Sequence, residues 1–83
     1  MLVNVKYRAQ LAEITKTKVE QLEATIMKDV LRHIGKSYGK EAEKTAKSML
    51  IAVNGESILH LKHFKTILHD GDEVSFLPIC GGG

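Results

Sequence analysis

Between residues 2 and 8 apolar and polar positions alternate: Val3, Val5 and Tyr7 fall on one side, and Asn4, Lys6 and Arg8 on the other. A period of two over this length predicts a half-buried strand. Residues 9–17 have mixed character and read as a connection. A second strand is expected over residues 18–23, with Val19 and Leu22 as its apolar positions. Those two residues cannot share a face of a regular strand, so a bulge or a shortened strand is expected.

Thr25 can serve as an N-cap for the segment that follows. There Ile26, Met27, Val30, Leu31, Ile34 and Tyr38 recur at helical spacing, with Lys28, Asp29, Arg32, His33 and Lys36 opposite them. Gly35 and Gly39 bracket the end of this amphipathic helix. Residues 40–47 are polar and rich in helix formers, which suits a short surface helix or a loop. Residues 49–53 form an apolar run with β-branched members, read as a buried strand. Asn54-Gly55 follows, then Ile58, Leu59 and Leu61, a strong hairpin signal. Phe64, Ile67 and Leu68 belong to a loop or a short helical turn, and Asp70-Gly71 makes another turn. Residues 72–78 form the last strand, with Val74 and Phe76 on one face and Pro78 at its end.

The predicted order is strand, strand, helix, strand, strand, strand. One amphipathic helix covers only one face of a sheet, so the expected fold is an α+β roll: a mixed sheet with one main helix across one face. If the first and last strands are parallel neighbours in the centre, the chain leaves the sheet at one end. Residues 1–78 then make the domain and residues 79–83 a glycine-rich tail.

Composition narrows the function classes. A chain of 83 residues buries only about 60% of its unfolded surface, which leaves little room for a catalytic cavity. The net charge is +2, acids and lysines interleave, and aromatic residues are few; this argues against nucleic acid as a partner. The single cysteine, Cys80, rules out an internal disulfide. No segment approaches the ~20 apolar residues of a membrane helix, and the first residues lack the apolar core of a signal peptide. A cytoplasmic protein with no membrane role is expected.

The tail Cys80-Gly81-Gly82-Gly83 is the informative feature. A glycine run contributes little to a fold, because glycine loses the most backbone entropy on ordering. It does let a chain thread a narrow channel. From Pro78 to Gly83, at roughly 3.3 Å per residue, the tail could reach about 15–20 Å and place a terminal carboxylate in another protein's active site. A carboxylate must be activated before it carries anything, typically as an acyl adenylate made from ATP. A sulfur nucleophile can then displace AMP and leave a thiocarboxylate. The chain itself has no motif for the activation. Gly35-Lys36-Ser37 resembles the end of a phosphate-binding loop, but Val30 stands where the pattern needs glycine. His60, His63 and His69 lack a second set of ligands, so no metal site is expected. Asp70, Asp72 and Glu73 flank a turn. Cys80 either forms a mixed or acyl disulfide with a loaded sulfur or is an inert small residue entering a partner's channel; reactivity requires a lowered pKa that no sequence neighbour clearly provides.

Ala52-Val53-Asn54-Gly55-Glu56, Asp70-Gly71-Asp72-Glu73-Val74, Phe76-Leu77-Pro78 and the closing Gly82-Gly83 resemble, over nearly the whole chain, the MoaD/ThiS family of ubiquitin-like sulfur carriers. The pattern is most similar to the small subunits of molybdopterin synthase. Ile79 departs from it, where a second proline is frequent, and Cys80 precedes a third glycine. The resemblance implies a ubiquitin-like β-grasp fold that is not catalytic alone. It implies that Gly83 is adenylated with ATP by an E1-like adenylyltransferase of the MoeB/ThiF type. Gly83 then receives sulfur from a donor such as a cysteine desulfurase and bears the thiocarboxylate, while Gly82 and Gly81 allow close passage. No cofactor is bound. The implied recipient is cyclic pyranopterin monophosphate in molybdenum cofactor biosynthesis, held by a large subunit of the MoaE type in a heterotetramer. The alternatives are a carrier for thiamine biosynthesis and a ubiquitin-like modifier joined to lysines. Phe76, Leu77, Pro78 and Ile79 are the expected docking residues, with Leu59 or Leu61 beside them.

Overall fold

The first alternation becomes strand β1, Leu2–Lys6, whose Val3 and Val5 are fully buried. A computed structural model describes residues 1–79 of the chain. After β1 come α1 (Ala9–Thr15), β2 (Val19–Glu23), α2 (Met27–Tyr38), α3 (Lys40–Ser48), β3 (Leu50–Val53), β4 (Glu56–Ser57) and β5 (Glu73–Leu77). Two single turns of tighter helix, Ile58–His60 and His63–Lys65, lie between β4 and β5. The strands form one sheet in the order β2-β1-β5-β3-β4. The first and last strands are central neighbours and parallel, with Val5 level with Val74, and the other pairings are antiparallel. The expected mixed sheet in an α+β fold is therefore present.

One face of the sheet carries the core. Val3, Val5 and Tyr7 at the front of the chain, Ile51 and Val53 of β3, and Val74 and Phe76 of β5 are buried there together with Met27, Val30, Leu31 and Ile34 of α2. The apolar stripe of α2 is the one its sequence period describes. Its cap differs: Ile26, not Thr25, occupies the N-cap position, and Asp29 Oδ2 accepts the amides of Thr25 (3.0 Å) and Ile26 (3.2 Å). A carboxylate reaching back from the first turn satisfies amides that the helix cannot.

Two expectations are corrected, for residues 9–17 and for β2, and one alternative is settled. Residues 9–17 contain α1, which seats Leu11 in the core. Residues 40–47 resolve into helix α3, whose Ala42 and Ala46 are fully buried. Alanine contacts let α3 lie close to α2, and a side chain at Gly35 would meet the Glu43 carboxylate. Strand β2 needs no bulge. It pairs regularly from Val19↔Lys6 to Leu2↔Glu23, turning Val19 outward and Glu20 inward.

An inward glutamate is tolerated because it is surrounded by partners. Glu20 Oε1 accepts from the hydroxyls of Tyr7 (2.7 Å) and Tyr38 (3.1 Å). The buried Nε2 of His33 lies 3.1 Å from Glu20 Oε2 without forming an aligned hydrogen bond. Burial would raise the Glu20 pKa, but these partners outweigh it and hold the carboxyl below its ordinary range. Burial and the adjacent carboxylate push the Tyr7 hydroxyl well up, so it remains a donor.

Turn chemistry closes the end of the sheet opposite the tail. Asn54 and Gly55 both have positive φ (52° and 86°), as a type I′ hairpin requires. Asn54 Nδ2 donates to Asp72 Oδ1 at 2.9 Å, and Asn54 Oδ1 accepts the Glu73 amide at 2.9 Å. Asp72 Oδ2 accepts the His69 amide at 2.8 Å, and Asp70 Oδ1 accepts the Leu2 amide at 2.9 Å. The Asn54 donor and the His69 amide hold the Asp72 carboxyl below its usual value.

Gly39 joins α2 to α3 at φ 103° and ψ 171°, a region open to glycine alone, so Gly39→Ala is expected to lower unfolding free energy by roughly 1–3 kcal/mol in denaturant titrations. Glu20, Asp29 and Asp72 are all depressed in the fold. Their stabilisation is present above the unfolded carboxylate values and lost as pH falls through the folded ones. The thermal midpoint is therefore expected to hold steady down to about pH 5 and to fall below about pH 4. Glu20→Gln is expected to flatten that fall, which calorimetry across pH would read.

Candidate docking face at the root of the tail

Where β5 ends, side chains alternate between core and surface. Phe76 is fully buried, faces Ile51 across the sheet and stacks on Tyr7 at a ring-centroid distance of 6.1 Å. This corrects the expectation that Phe76 docks a partner. Its ring is an internal anchor, held from behind by Tyr7 and, through the Tyr7 hydroxyl, by Glu20. Leu77 turns the other way. It is half-buried on the outer face and pairs with Leu50 of β3, which is 39% exposed. Pro78 is exposed and Ile79 is 67% exposed.

These residues make one apolar surface. Leu50, Leu77, Pro78 and Ile79 line a shallow depression on the outer face. A second groove continues from Ile79 past Leu50 to Leu59 and Phe64, with Lys47 and His63 at its margin. Leu59 is 64% exposed and belongs to this surface; Leu61 is partly buried against the core. Contiguous exposed apolar side chains on a small domain mark an interaction surface. Leu50 and Phe64 were not among the expected docking residues. Leu50 was hidden inside an apolar run, although a period of two counted back from Ile51 and Val53 puts it on the opposite face.

Gly81, Gly82 and Gly83, and Cys80 before them, lie outside the described residues. Among the described residues no cluster of three or more histidine, cysteine or acidic side chains could hold a metal ion. His60 and His63 sit on separate turns, and His69 faces Asp72. Among the described residues, no helix is long and apolar enough to cross a membrane.

Residues 5–83 match the model of the ThiS family. No curated protein matches the chain. Among solved structures, small archaeal modifier protein 1 from Methanosarcina acetivorans is 31% identical, with a TM-score of 0.84 over 99% of this chain and 96% of that one. A Helicobacter pylori structure, a complex of subunits 1 and 2 of molybdopterin-converting factor, is 26% identical, with a TM-score of 0.71 and full coverage of both chains. The Amycolatopsis orientalis BexX/CysO complex, at 18% identity and a TM-score of 0.81 over 98% of this chain and 99% of that one, shares the fold.

Burial separates anchor from docking surface. Phe76→Ala is expected to cost about 3–5 kcal/mol of stability. Leu50→Ser and Ile79→Ala are expected to leave the thermal midpoint almost unchanged while weakening partner binding by about 2 kcal/mol where either side chain is an anchor. Melting curves beside titrations against a candidate partner protein would read both.

Proposed function

The chain belongs to the ThiS family of ubiquitin-like sulfur carriers, and we propose that it is the sulfur-carrying small subunit of a molybdopterin synthase in the cytoplasm. One observation carries this reading: β5 delivers the chain to Leu77-Pro78-Ile79 on an apolar face, and the sequence then runs through Gly81-Gly82 to Gly83. Among the described residues nothing beside that exit resembles catalytic machinery. On this reading the glycine tail and the docking surface are what the domain offers, and the chemistry belongs to whatever binds there.

The chemistry follows from the carboxylate. In an activating enzyme the Gly83 carboxylate attacks the α-phosphate of ATP, pyrophosphate leaves, and an acyl adenylate forms. Bisulfide displaces AMP at the carbonyl carbon to leave a thiocarboxylate directly; a persulfide displaces it to give an acyl disulfide, whose S–S bond a thiol then reduces to free the thiocarboxylate. Its sulfur is nucleophilic near neutral pH and can attack an electrophilic carbon of cyclic pyranopterin monophosphate in a large subunit; water then cleaves the acyl–sulfur bond, leaving sulfur on the substrate and a carboxylate on Gly83. The likeness to subunit 1 of the Helicobacter pylori factor supports this branch of the family.

A second reading has its own support. The 31% identity to a small archaeal modifier protein favours attachment of Gly83 to lysine amines. Both readings share the acyl adenylate and differ in the nucleophile that follows.

Incubation with ATP, the ThiF-type activating enzyme of the same organism and a sulfur donor is expected to replace one oxygen of Gly83 by sulfur. Fragmentation mass spectrometry of the C-terminal peptide must place the shift on Gly83, since methionine oxidation has nearly the same mass. Deleting Gly82 and Gly83 is expected to abolish loading with no change in the melting curve. Formation of molybdopterin by the loaded chain with a large subunit supports the first reading; Gly83 remnants on cellular lysines without it support the second.

A further inference from the structure

The root of the tail is electrostatically one-sided. β1 and β5 run parallel with Lys6 level with Ser75, and continuing that register sets Arg8 level with Leu77. The amide of Tyr7 donates to the carbonyl of Lys18 at 2.8 Å, which brings the start of β2 to the same end. Lys6, Arg8 and Lys18 line one surface depression there, with Val19 between them. On the other flank Lys47 and His63 border the groove shared with Ile79. The three depressions around the root contain no aspartate or glutamate in their linings. In sequence Lys6, Arg8, Lys18 and Lys47 are scattered among acids; the fold gathers them.

Their charge is not equally free. Lys6 is 2.9 Å from Glu73, and Lys47 is 3.6 Å from Glu43. Arg8 and Lys18 are exposed and have no ion pair among the described residues. Three acids of the opposite sheet end are engaged locally: Glu23 with the amino group of Met1, Asp70 with the Leu2 amide, and Asp72 with Asn54 and His69. Uncompensated charge beside an apolar contact patch steers encounter and rejects partners of like sign.

We propose that Arg8 and Lys18 are the charged rim of the tail-root docking face, and that this face fits a protein surface bearing aspartate and glutamate around the mouth of the channel that takes the tail. The proposal rests on the sulfur-carrier reading and adds the electrostatic character of the partner. A protein fits better than a nucleic acid. The cations flank Val19 and Leu77 instead of tracking a strand of phosphates, and the nearest aromatic ring, Tyr7, is buried and cannot stack on a base.

The test is the dissociation constant between the full chain and the ThiF-type activating enzyme of its organism, measured by calorimetry without ATP at low and at physiological salt. Arg8→Glu/Lys18→Glu is expected to weaken binding about tenfold or more and to remove most of the salt dependence. Lys28→Glu/Lys36→Glu, the same charge change on the exposed side of α2, is expected to stay within about twofold. Equal losses from both double variants, or wild-type binding that ignores salt, would overturn the rim. So would retention of a short DNA duplex at physiological salt that the Arg8/Lys18 variant releases. If the wild-type chain shows the expected pattern but its Gly83 is never adenylated when ATP is added, the rim stands and the carrier reading fails. Normal binding and loading of the Arg8/Lys18 variant would leave the carrier reading intact and end the rim proposal.

Discussion

Two strands from opposite ends of the chain run parallel through the middle of the sheet, and most of the fold answers to that pairing. Parallel neighbours cannot be joined by a tight turn. Everything from Arg8 to Asp72 must therefore return the chain to the end where it began, and α1, α2, α3 and the outer strands are that return. Such non-local pairing closes a long loop at an entropic cost, which the core between α2 and the Val3, Val5, Val74 and Phe76 face must offset. The pairing also fixes polarity. β1 and β5 start together at the Asp70-Gly71-Asp72 turn and run side by side to Lys6 and Ser75, beyond which Arg8 and Leu77 follow.

The two ends of the sheet are built by different chemistry. At the starting end several polar groups have local partners: Asn54 and Asp72 hold each other and adjacent amides, and Asp70 holds the Leu2 amide. Groups so engaged have little left to offer another molecule. At the finishing end Leu50, Leu77, Pro78 and Ile79 are left uncovered beside the exit of the chain. Phe76 explains how that end is firm while its surface is apolar. Its ring is fixed from inside by Tyr7, which donates to a glutamate that also accepts from Tyr38, so the outward residues on either side of it have a rigid base.

Legibility in the sequence followed the physical signal each element carries. β1, α2 and β5 bury large side chains at a clean period, and the sequence pattern locates all three. Helix α3 buries only Ala42 and Ala46, which leave too small an apolar stripe to separate a packed helix from a loop. Helix α1 seats one large residue, Leu11, in the core and begins at Ala9 with φ 51°, so neither period nor cap announces it. β2 misled for a different reason. Its inward position holds Glu20, and only the fold reveals the two tyrosines and the histidine beside that partly buried carboxylate. The glycine tail and the turn motifs pointed to the family, yet Arg8 and Lys18 are ten residues apart and meet only through the pairing of β1 with β2.

On the proposed reading the tail is the least discriminating part of the molecule. An acyl adenylate on Gly83 reacts with whichever nucleophile reaches its carbonyl carbon: sulfur gives a thiocarboxylate, and a lysine amine gives an amide. Glycines without side chains cannot select between them. Selection must then reside in which enzyme is allowed to hold the domain while the carbonyl is activated, and that depends on surface. The apolar residues Leu50, Leu77 and Ile79 suit any partner with a complementary patch, whereas charge at their border distinguishes one patch from another. Two carriers with the same fold and the same terminal glycines can thus serve different chemistries through a few rim residues, without any change in the tail.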